Sequence, residues 1–156
     1  MRSVTRIAMS TALAYCVAFS VAVAQQARQE ASPRMGTHMA YHFDVRDPGV
    51  GAQLDVPVAP RFALYPSGAI YLVDQGSLWG VNADVKYQVA SPVYLGGGLN
   101  ILRRSTASTG DTDAGVNLLA GVEGHLGRRV HPFAEGRVIL NEGSAFLLGA
   151  GLSISL

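Results

Sequence analysis

The chain is nearly devoid of cysteine, with Cys16 alone among 156 residues. That residue lies in an N-terminal segment read below as removed on export. The remainder then cannot form a disulfide, a thiolate metal site or a cysteine nucleophile. Charge is scarce as well: 15% of residues are charged and the net is +1. No basic field exists to hold nucleic acid, so nucleic acid is not an expected partner. After residue 24 no stretch approaches 18 consecutive apolar residues, and no transmembrane helix is expected there. A sustained helical period is missing too.

What is present begins with an export signal. Arg2 and Arg6 supply a positive start, residues 8–23 an apolar stretch, and Ala22-Val23-Ala24 a small-residue cleavage site. Residues 1–24 therefore read as a cleavable signal peptide. Residues 25–36 (QQARQEASPRMG) are polar and patternless and read as a flexible leader. One domain remains, 37–156, a length suited to a single fold.

That domain alternates with a period of two. Phe146, Leu148, Ala150, Leu152, Ile154 and Leu156 share one face of the last segment, opposite Leu147, Gly149, Gly151, Ser153 and Ser155. The same pattern recurs over 38–45, 50–58, 62–72, 79–89, 93–101, 116–126 and 132–140. Eight strands follow. Pro66 cannot donate to a ladder, so a bulge or a break is expected in the third. The odd-numbered connections read as longer and more polar on the whole, with 105–112 the longest. This is the habit of an up-and-down barrel with tight turns at one rim.

The polar face decides where the apolar one points. Asp44, Asp55, Asp84, Lys86, Glu123, His125, Glu135 and Arg137 all lie opposite the apolar positions. An eight-strand barrel has room inside only for its own side chains, and the apolar set is too bulky to fill it. Turned outward, that set becomes a lipid-facing band, with Tyr41, Trp79 and Tyr87 near its edges where interfacial aromatics belong. Asp84, Lys86, Glu123, Glu135 and Arg137 are then expected as a structural charge network in the lumen, paired because an unpaired buried charge costs several kcal/mol or more. Glycines 96, 98, 121, 149 and 151 are expected to make room for the long side chains of Arg137, Lys86 and the glutamates. Closure satisfies every backbone group in lipid.

The stretches GVGAQLDVPVAPRFALYP (49–66), YLGGGLNI (94–101), NLLAGVEGHLG (117–127), HPFAEGRV (131–138) and FLLGAGLSISL (146–156) resemble the small eight-stranded outer-membrane β-barrel proteins. The closing segment is similar to the C-terminal strand that barrel-assembly machinery recognises, although it ends in Leu156 where an aromatic residue is usual. The resemblance implies an all-β, antiparallel, up-and-down transmembrane barrel in the cell outer membrane. It further implies contacts with outer-membrane lipid and passage through export and assembly machinery. It implies no activity.

No metal, cofactor or catalytic residue is expected. His38 and His42 share a strand face but stand roughly 13 Å apart by strand rise, too far to share an ion. The four histidines read as hydrogen-bonded lumen or rim residues. Outward positions are almost purely apolar and hold no Ser/His/acid set of the kind that lipid-modifying barrel enzymes use. The glycine clusters lack the helix and spacing of a phosphate loop. The expectation is a monomeric, non-enzymatic barrel with a polar, plugged lumen. Two rivals stand beside it. One is a secreted lipocalin-like barrel with its apolar face inward around a ligand; the other is a lipid-modifying enzyme.

Overall fold

A computed structural model describes residues 32–74, 76–106, 109–141 and 143–156. The signal peptide and most of the leader lie outside the described residues. Eight strands follow in order: β1 (Arg34–His42), β2 (Asp47–Ala59), β3 (Phe62–Tyr71), β4 (Ser77–Ala90), β5 (Val93–Ser105), β6 (Gly110–Glu123), β7 (Val130–Leu140) and β8 (Ala145–Ser155). Each pairs antiparallel with the next, and β8 closes on β1 from Arg34↔Ser155 to His42↔Leu147. The closed ring leaves no free sheet edge.

Alternation along the strands becomes alternation across the wall. Leu99 is 65% exposed, Leu118 55%, Leu152 51% and Val85 44%. Glu135 is 9% exposed and Arg137 6%. The bulky aliphatic residues therefore form the outer surface of the cylinder, the reverse of what a lipocalin-like interior requires. Aromatics gather at both ends of this surface. Tyr41, Phe43 and Phe146 pack in sequence at one rim, with ring centroids 5.0 and 5.2 Å apart. Phe62 and Tyr87 meet at 4.9 Å at the other.

Several details differ from the sequence reading. β1 begins at Arg34, so Arg34, Met35 and Gly36 belong to the barrel and not to a leader. Cross-strand pairing to β2 and β8, invisible in a single segment, extends it. β3 is one unbroken strand: Pro66 is exposed, and Pro66 pairs in register with Ala83 of β4. On the β2 side the ladder opens opposite Tyr65 and Pro66 without losing register, and the irregularities fall at Pro57/Ala59 and Gln88/Ala90 instead. The missing proline N–H is thus accommodated by a local gap in the ladder. The expected loop 105–112 shrinks to 106–109, because Ser105 pairs with Gly110 and both strands run on past the apolar alternation. β6 ends at Glu123, before His125 and Leu126. The connection that follows, 124–129, is longer than the other turns on its rim and contains a Leu126↔Val130 bridge. Connections 2 and 4 are two residues each, 60–61 and 91–92. The rim asymmetry holds for those two and fails at the third.

Candidate functional site

Every strand contributes inward side chains, and the inward charges converge in two groups. The first lies toward the even-numbered rim. Arg34 Nη2 stands 2.9 Å from Asp55 Oδ2, and Lys86 Nζ 3.2 Å from Glu123 Oε2. Arg34 also contacts Glu123, and Lys86 contacts Asp55. Two cations and two carboxylates thus alternate around a closed circuit drawn from β1, β2, β4 and β6. The second group is deeper. Arg137 bridges Asp84 Oδ2 at 2.9 Å and Glu135 Oε1 at 3.0 Å.

Tyr94 separates the groups and touches both. Its hydroxyl donates to Glu135 Oε2 at 3.1 Å, and its ring lies 4.4 Å from Lys86 Nζ. Tyr65 lies under the same ammonium at 4.9 Å. Cation–π attraction and ion pairing together offset the desolvation of Lys86.

Each expected network residue is buried, but the partnership is split. Asp84, Glu135 and Arg137 form one group. Lys86 and Glu123 belong to the other, and Glu123 does not face Glu135 and Arg137. The register explains this: Gly121, not Glu123, stands opposite Glu135. Sequence reasoning left Arg34 and Asp55 out of the network. Asp55 was visible as an acid on the polar face. Arg34 was hidden by its place in a patternless stretch.

An amide chain joins the deeper group. Asn117 Nδ2 donates to Asp84 Oδ1 and to Asn82 Oδ1, both at 2.9 Å. Asn100 Nδ2 donates to Asn82 Oδ1 at 2.8 Å, and Asn82 Nδ2 to Ser67 Oγ at 3.1 Å. Four adjacent strands are stitched by side chains spaced to share one level of the wall. All three asparagines lie on the polar face of their segments, which is the signal that could have found them.

The inward glycines make room for residues other than those expected. A Cβ at Gly121 would strike the Tyr94 ring, and one at Gly98 would come 2.6 Å from Asp84 Oδ1. Gly96 clears Leu119, and Gly151 clears His38. In each case the residue is the glycine's own cross-strand partner on the adjacent strand.

The odd-numbered rim is closed differently. Ala40, Tyr71, Leu78, Ile139, Ala145 and Leu147 form a buried apolar cluster. His42 packs edge-on against Tyr71 at 5.3 Å, and neither of its ring nitrogens has a partner among the described residues. It departs from the expected hydrogen-bonded role because its neighbours are apolar. His38 keeps that role, 2.7 Å from Gln53 Oε1.

A scan against protein-family models matches no family, and a search of curated proteins finds no match. Solved structures share the fold. The N-terminal β-barrel domain of Pseudomonas aeruginosa OprF is 15% identical and aligns over 80% of this chain and 97% of its own at a TM-score of 0.70. Neisserial surface protein A (NspA) is 16% identical over 80% of this chain and 95% of its own, with a TM-score of 0.56. The de novo designed TMB2.3 is 14% identical over 81% and 94%, with a TM-score of 0.51. At such identities the likeness is one of architecture: a closed, antiparallel, eight-stranded barrel.

Proposed function

We propose that this barrel spans the outer membrane and serves a structural or surface role, without enzymatic activity and without a wide pore. The supporting observation is the inside-out wall: Leu99, Leu118, Leu152 and their neighbours are exposed while Arg137 and its two acids are enclosed. In water such a surface would drive aggregation. In acyl chains it is the favoured one, and the closed ring satisfies the backbone there. Eight strands leave a narrow interior, and side chains from both rims fill it. The partners of this reading are outer-membrane lipid and the export and barrel-assembly machinery. The barrel acts as a monomer.

Membrane fractionation combined with gel migration before and after boiling tests the location and the fold together. The expected result is detergent-dependent extraction and a heat-dependent shift in mobility. Recovery in the soluble periplasmic fraction would overturn the proposal. For the plugged interior, liposomes carrying the folded protein are expected to exclude sugars; swelling in sugar solution would contradict it.

A further inference from the structure

At the even-numbered rim, Glu123, His125 and His131 bring one carboxylate oxygen and two imidazole nitrogens within 4.8 Å of one another. The residues come from the end of β6, the connection 124–129 and the start of β7. Their spacing in sequence conceals this, because the hairpin folds His131 back beside His125. The two rings meet edge to face with centroids 4.8 Å apart.

The state of His131 is the second observation. It is 6% exposed. Its Nε2 is held 3.0 Å from Ser155 Oγ, while its Nδ1 is buried with no partner among the described residues. A buried, unpaired ring nitrogen is costly. One nitrogen fixed by a hydrogen bond and the other left free is also the arrangement of a ligating imidazole.

We propose that Glu123, His125 and His131 form a binding site for a divalent transition-metal ion, with zinc as the best fit. Two imidazoles and a carboxylate select zinc, copper or nickel over calcium or magnesium, which take oxygen ligands. Three protein ligands leave one position for water. The site opens into a rim cavity of about 490 Å³, lined also by Ser32, Gln88 and Ser91. His125 is exposed, so the ion has an entry path. Donors around tetrahedral zinc stand about 3.4 Å apart, so the three side chains draw together by up to about 1.4 Å on binding. Each Glu123 oxygen already accepts one bond, from Arg34 or from Lys86, and retains a lone pair for the metal. Those two cations orient the carboxylate and weaken the site by repulsion.

The test uses the full barrel folded in detergent, with zinc ion alone as probe and competition against a chromogenic chelator as readout. One equivalent per barrel is expected. His125→Ala and His131→Ala should each weaken binding by about ten-fold or more, while His38→Ala, deep in the interior, should leave it unchanged. His125 is exposed, so its variant keeps the fold, checked by the heat-dependent gel shift. Absence of saturable one-to-one uptake, or wild-type uptake by folded His125→Ala, would overturn the proposal.

Discussion

At the odd-numbered rim the interior is stoppered by Tyr71, Leu78, Ile139 and Leu147 packed on one another. At the even-numbered rim the same cross-section is filled by Arg34, Asp55, Lys86 and Glu123. One end is closed by dispersion and burial, the other by charge. The contrast teaches where charge is tolerated in a closed barrel. The four-residue circuit sits near an open cavity, where water lowers the cost of desolvation. Arg137, deeper in, is held by two carboxylates, one of which, Asp84, is braced by the amide chain.

The largest effect is expected where the charge lies deepest. Arg137→Met leaves Asp84 and Glu135 without a cation and should destabilise the folded barrel by about 3–5 kcal/mol. Reversible urea unfolding in lipid vesicles measures it. A loss under about 1 kcal/mol would show that the deep pairing contributes little. Next is the apolar stopper. Leu78→Ala opens a cavity in the best-buried part of that rim and should cost about 3 kcal/mol in the same assay, independent of salt. The smallest effect is expected at the ionic rim. Arg34→Gln leaves Lys86 in contact with both acids and should cost about 1 kcal/mol, shrinking as salt rises. Equal salt sensitivity of the Leu78 and Arg34 variants would erase the distinction between the two ends.

Much of this is legible in the amino-acid sequence. The outward set from Met39 to Leu156 and the inward set from Asp84 to Arg137 were readable residue by residue, because period two assigns each side chain to one side of the wall. The ends of the strands were not. Arg34 and the stretch 110–115 carry no alternation, and cross-strand pairing alone makes them strand. The histidine cluster was equally hidden: His125 lay just beyond the end of β6, and its approach to His131 depends on the path of connection 124–129.

The order of residues determined which side chains face outward and which face the axis, since that choice is local to each strand and flips only with a register slip. Apart from Arg137 and Glu135, which are neighbours on one face of β7, which carboxylate meets which cation was decided by the closed ring. Inward side chains from strands far apart in sequence share the axis, and only the register and stagger of eight paired strands set Lys86 beside Glu123 and Arg137 beside Asp84.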